Sequence, residues 1–165
     1  MDASDGFPPV ARPDARILIL GSLPGKKSIA RQQYYAHSQN AFWPIIRELY
    51  GIDGHYLERC AQLEQHQLAL WDVLRRSVRP GSLDSDICMD SAEANDFMQF
   101  FAQHVAIERV VFNGRKAEQM FGRFVDTQAL PASVALTGLP STSPAYAAMP
   151  FSGKLSAWKA ALLTP

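Results

Sequence analysis

Four short apolar runs divide the chain: RILIL (16–20), LALWDVL (68–74), IERVVFNG (107–114) and SVALTGL (133–139). Each has the length and the β-branched or aromatic content of a buried strand. Between them the apolar residues fall at helical spacing, over 41–49 (closed by Gly51), 55–67, 92–104, 115–124 and 152–162. In 92–104 this spacing puts Phe97, Phe100 and Phe101 on one face, as core packing. Strands alternating with helices predict an α/β fold, a parallel sheet covered on both faces. Ligands of such sheets bind beyond the carboxyl ends of the strands. Those ends are GSLPG (21–25), WD (71–72), NG (113–114) and LPSTSPA (139–145).

From the first of these ends hangs YYAHSQNAFW (34–43), four aromatics with one His, one Gln and one Asn and no charged side chain of Lys, Arg, Asp or Glu type. Residues 21–40 read as one long loop, and loops above about 12–15 residues in compact domains are usually functional. The segment RRSVRPGSLDSDI (75–87) reads as polar and turn-rich, with turn or capping roles for Asp72, Asp84 and Asp86.

Composition narrows the classes. With 47% hydrophobic and 19% charged residues the chain reads as soluble and globular, and no apolar run approaches the ~20 residues of a membrane span. The opening MDASDGFPPVARPDAR lacks the apolar stretch of a secretory signal. Two cysteines, Cys60 and Cys88, are too few for a thiolate zinc or iron–sulfur site, and a cytoplasmic location with reduced thiols is expected. The formal charge of zero offers no whole-chain pull on nucleic acid, although local basic clusters (Lys26, Lys27 and Arg31; Arg75, Arg76 and Arg79; Arg115 and Lys116) would suffice.

Several chemistries can be weighed at the strand ends. GSLPGKKS approaches a phosphate loop, with Gly21, Lys27 and Ser28 in register, but Lys26 stands at the second glycine and Pro24 removes an amide donor. A P-loop-like hydrolase is therefore a remote alternative. No G-x-S-x-G elbow frames Ser22. The four histidines, 37, 55, 66 and 104, show no metal-ligand spacing, and the last three read as helix-surface residues. Aromatics beside an amide suit a planar heterocycle better: the ring stacks, and an Asn reads its edge. A flipped nucleobase needs such a slot. Cleaving its glycosidic bond needs a positioned water and donors for the charge on the departing base.

The ordered set ILILGSLPG, YYAHSQNAFW, VVFNGRKA and LPSTSPA resembles the uracil-DNA glycosylase superfamily. The resemblance runs from about residue 16 to residue 143, strongest to the hypoxanthine-DNA (DNA-deoxyinosine) glycosylase branch and next to the mismatch-specific uracil/thymine glycosylases. It implies a three-layer α/β/α sandwich with a central four-stranded, mostly parallel sheet, and one such domain over 1–165 with residues 1–15 as an N-terminal extension. It also implies a monofunctional glycosylase acting on DNA that contains deaminated bases, hypoxanthine before uracil, with no cofactor and no metal. A monomer is the simplest expectation.

By position, the resemblance makes Asn40 the catalytic residue that orients water, and Tyr35 the ring that stacks on the base. Gly21, Ser22 and Leu23 become the pocket floor and wall, Asn113 the reader of the base edge, and His37 a brace of the loop or a base contact. Lys26, Ser141, Thr142 and Ser143 would hold DNA, with Ala145, Tyr146 or Met149 as the wedge that fills the vacated stack. Departures are Leu23 where many relatives place a catalytic Asp or Asn, Ser38 for the usual Pro, Ala41 for a common Arg, and Ser141 where one branch has a His. Leu23 and Ser38 motivate the alternative of a non-catalytic binder of damaged or single-stranded DNA.

Overall fold

The computed structural model describes residues 3–165. The first two residues of the expected N-terminal extension lie outside the described residues. The strands are β1 (Ala3–Asp5), β2 (Ile17–Gly21), β3 (Leu68–Asp72), β4 (Leu74–Val78), β5 (Glu93–Ala94), β6 (Arg109–Asn113) and β7 (Ala135–Leu139). The helices are α1 (Lys26–Arg31), α2 (Phe42–Tyr50), α3 (Tyr56–Gln65), α4 (Phe97–Gln103), α5 (Arg115–Phe124) and α6 (Phe151–Leu163).

The central sheet has the order β3-β2-β6-β7 and every pair in it is parallel. Pleating sends alternate residues to opposite faces. Leu18, Leu20, Ala69, Trp71, Val110 and Phe112 pack on one side with Phe97, Phe100 and Phe101 of α4 and Met120 and Phe121 of α5. Ile19, Leu68, Leu70 and Val111 pack on the other with Phe42, Ile45 and Ile46 of α2, Leu63 of α3 and Trp158 and Leu162 of α6. The result is a three-layer α/β/α sandwich, as the sequence predicts. Among the described residues no helix is long and apolar enough to cross a membrane.

Three stretches differ from the sequence expectation. The loop expected over 21–40 contains α1, a helix of six residues. The run LALWDVL breaks after Asp72, and its continuation forms β4, which pairs antiparallel with β1 and β5 in a second small sheet. The first four residues of the segment expected to be turns, Arg75 to Val78, are therefore strand, and Arg75 and Arg76 on it pair with Glu93 and Asp5. The helix expected from residue 92 starts at Phe97, where the Asp96 side chain accepts from the Gln99 amide and caps it. Residues before β2 fold back on the domain: Val10 bridges Leu70, and Tyr34 donates to the Pro8 carbonyl at 2.9 Å.

Candidate active site

Beyond the carboxyl ends of the central strands lies a cavity of about 660 Å³. It is lined by every site residue read from the sequence except the wedge candidate Met149: Gly21, Ser22, Leu23, Lys26, Tyr35, His37, Asn40, Asn113, Ser141, Thr142, Ser143, Ala145 and Tyr146. Met149 instead packs against the first turn of α6 at Gly153. The fourth wall consists of residues that sequence reading left aside: Asp72, Arg79 and the stretch from Ser82 to Ser85.

The aromatic loop is held from several sides. Tyr35 has φ of 56°, a left-handed backbone that a bulky residue adopts only when its surroundings enforce it. One such constraint is Phe42, whose ring centroid is 4.3 Å from that of Tyr35. Trp43 donates its indole N–H to the Tyr34 carbonyl at 2.8 Å, and the Ala36 amide donates to Ser28 Oγ at 3.1 Å. Asn40 Oδ1 accepts from the Phe42 amide at 2.9 Å and so fastens the start of α2. One lone pair of that oxygen and the whole NH₂ group remain. His37 is exposed and Nδ1 accepts from the Gln39 amide at 3.1 Å, so the ring braces its own turn.

Across the cavity, Asn113 and Thr142 are buried together. Asn113 Nδ2 donates to Thr142 Oγ1 and Asn113 Oδ1 accepts from the Thr142 amide, both at 2.9 Å. For a base edge Asn113 retains one N–H and one lone pair. Gly114, at φ of 97°, lets Ser141 come close: a Cβ there would lie 3.1 Å from the Ser141 Cβ. The Thr142 carbonyl accepts from the Ala41 amide at 2.9 Å, which joins the two loops directly. Ser143 O accepts from the buried Lys154 ammonium at 3.2 Å. Burial lowers the pKa of that lysine.

The fourth wall is anchored by Arg79, which is buried in spite of lying in a basic, turn-rich run. It donates to the carbonyls of Leu23 and Pro24 and lies 3.7 Å from Asp84 Oδ1. Ser22 donates its hydroxyl to Asp84, so that hydroxyl is already engaged. Asp86 accepts from the Leu83 amide, a local cap of the kind expected for it. Asp72, expected to cap a turn, does otherwise: it is 4% exposed, lines the cavity, and its Oδ2 has no partner among the described residues. Burial and the neighbouring Asp84 carboxylate push its pKa up to about 7, against the opposing pull of Arg79. Tyr35 Oη is also buried without a partner among the described residues. Burial foremost, then Asp72, raises the pKa of that phenol. Both groups crowd Gly21, where a Cβ would meet Asp72 Oδ1 at 2.6 Å and Tyr35 Oη at 2.8 Å. The sequence signal for Asp72 was available, since LALWD ends an otherwise apolar strand on an acid at the ligand end of the sheet. Arg79 gave no such signal.

The chain is similar to known proteins over most of its length. A hypoxanthine DNA glycosylase of Methanosarcina acetivorans is 37% identical over 135 residues, covering 78% of this chain and 84% of that protein. A hypoxanthine DNA glycosylase of Methanosarcina barkeri is 38% identical over 115 residues, covering 68% and 72%. A solution NMR structure of a candidate uracil DNA glycosylase from Methanosarcina acetivorans superposes with a TM-score of 0.81 at 32% identity, covering 98% of this chain and 97% of that one. The sequence profile of the uracil DNA glycosylase superfamily matches residues 8–164, and the chain belongs to that superfamily.

Proposed function

We propose that this DNA glycosylase removes hypoxanthine from deaminated DNA, with uracil as a second substrate, by hydrolysing the N-glycosidic bond of a flipped nucleotide. The observation that carries the reading is the convergence of the Tyr35 ring, the Asn40 amide and the Asp72 carboxyl on one cavity of about 660 Å³ at the strand ends. That volume lies within the range of ligand pockets, about 300–1,000 Å³. The two Methanosarcina relatives named hypoxanthine DNA glycosylase support the choice of base.

In this reading Tyr35 stacks on the extruded base, and its enforced backbone keeps the ring in place before DNA arrives. Asn40 orients the attacking water through the remaining lone pair of Oδ1 or through its NH₂ group. The bond from the Phe42 amide fixes that amide plane. An amide is too weak a base to take the water proton early, so the reaction runs through a sugar with oxocarbenium character, and departure of the base leads. Asn113 and Thr142 hold the loop 141–146 against the sheet. Lys26 and that loop face the phosphates, and Tyr146, 40% exposed at the rim, is the wedge. The test is base release from matched oligonucleotides carrying inosine, uracil or neither, followed by alkaline cleavage at abasic sites. Release from inosine faster than from uracil is expected. Release from neither would end the reading.

A further inference from the structure

We propose that Asp72 is a catalytic acid that delivers its carboxyl proton to N7 of the flipped hypoxanthine as the glycosidic bond breaks. This rests on the hypoxanthine reading above. Asp72 closes β3 at the ligand end of the sheet, where the Asn95 side chain holds its backbone carbonyl at 2.8 Å. Its side chain lines the cavity: Oδ2 is buried with no partner among the described residues, and Oδ1 lies over Gly21, where a Cβ would meet it at 2.6 Å. A carboxyl that is buried and unpaired in a pocket built to receive a ligand is costly unless the ligand supplies its partner.

Burial first, and then the Asp84 carboxylate, raise the proton affinity of that carboxyl. From the aromatic loop Tyr34 and Tyr35 face it, both neutral, and from the segment after β4 come Asp84 and Arg79. Arg79 would favour the ionised form, but its guanidinium already serves Asp84 and the carbonyls of Leu23 and Pro24. With Asp84 opposing, the acid is near half-protonated at neutral pH. Of the other basic side chains lining the cavity, Arg79 is buried and engaged as above, and Lys26, Lys27 and His37 are solvent-exposed.

The C1′–N9 bond breaks with its electron pair going to N9, and the Asp72 proton moves to N7, so hypoxanthine leaves neutral. Water adds through oxygen to C1′ and releases one proton, which returns through solvent to the Asp72 carboxylate. A purine has a basic N7 to receive the proton and uracil has no counterpart, so the same acid favours hypoxanthine. General acid catalysis of this type is worth about 10²–10⁴-fold.

The experiment is single-turnover release, at about pH 6 where the acid is protonated, from oligonucleotides carrying 2′-deoxyinosine or 7-deaza-2′-deoxyinosine, by wild type and by Asp72→Asn. We expect Asp72→Asn to slow inosine release about 100-fold and to leave the slower 7-deaza rate unchanged. The wild-type inosine rate should fall as pH rises through 7, and the variant's should not. Equal slowing on both substrates, a wild-type inosine rate in the variant, or a pH profile shared by both proteins would overturn the proposal while leaving the hypoxanthine reading intact. Failure of the wild type to release hypoxanthine at all would remove both. Thermal melting of the variant, expected to be no less stable, separates chemistry from folding.

Discussion

Asn113 and Thr142 clasp each other through two hydrogen bonds of 2.9 Å, one to the threonine hydroxyl and one from its amide, inside the buried wall of the cavity. A residue expected from sequence to read the base thus also fastens the loop 141–146 to the sheet. The same threonine reaches Ala41 through its carbonyl. Thr142→Val leaves the Asn113 N–H group without its acceptor, at a cost of about 1–3 kcal/mol, and loosens the loop. Urea unfolding should show that loss, with weaker binding of damaged duplex, whereas Thr142→Ser keeps the hydroxyl and should stay close to wild type. Equal behaviour of the two variants would remove the clasp from the argument.

Asn40→Ala is expected to lower single-turnover base release by about 100-fold or more while duplex binding changes little. Because Asn40 Oδ1 also accepts from the Phe42 amide, the variant should lose about 1 kcal/mol of stability as well. Assays well below its melting temperature separate the two effects. A variant cutting at the wild-type rate would transfer the water to another residue.

The buried acid predicts a slope in stability. The Asp72 pKa rises from 3.8 to about 7 on folding. Between those values the folded chain holds a proton that the unfolded chain has released. The stability conferred by the protonated acid is thus complete below pH 3.8, declines as pH rises, and is gone above about 7. Asp72→Asn removes this dependence and should be more stable than wild type at pH 8, by up to about 4 kcal/mol. Urea midpoints at pH 5 and pH 8 check it, and parallel curves for the two proteins would count against a neutral Asp72.

Gly21→Ala places a methyl group 2.6 Å from Asp72 Oδ1 and 2.8 Å from Tyr35 Oη. Both side chains must shift, at a cost of roughly 1–3 kcal/mol, and both belong to the proposed chemistry. Inosine release should therefore fall along with the melting temperature. Unchanged values for both would show that the floor yields freely.

The central sheet was legible because its signals are local. Four apolar runs and the helical spacing between them place each strand within two residues of its observed start, and α5 coincides with RKAEQMFGRF. What escaped depends on contacts distant in sequence. In α1, KKSIAR offers six residues with no apolar period. In β4, RRSV reads as polar, and its partners lie far away at Ala3–Asp5 and Glu93–Ala94. The motif loops pointed to one pocket, and they do share one cavity. Sequence could not show that Arg79 would be drawn inward by two carbonyls, or that Asp72 would be left without a partner. Both follow from where the segment after β3 folds back.

The bond between Ala41 and Thr142 has a consequence for the order of synthesis. Every aromatic of the 34–43 loop leaves the ribosome long before the threonine that braces it and before α6, which supplies Trp158 and Lys154. A nascent chain therefore carries Asn40 in a loop without this brace, and the cavity wall is complete only once residues 141–146 are in place. Chains cut before residue 141 would lack the whole wall from Ser141 to Tyr146, so that the cavity belongs to a nearly finished chain.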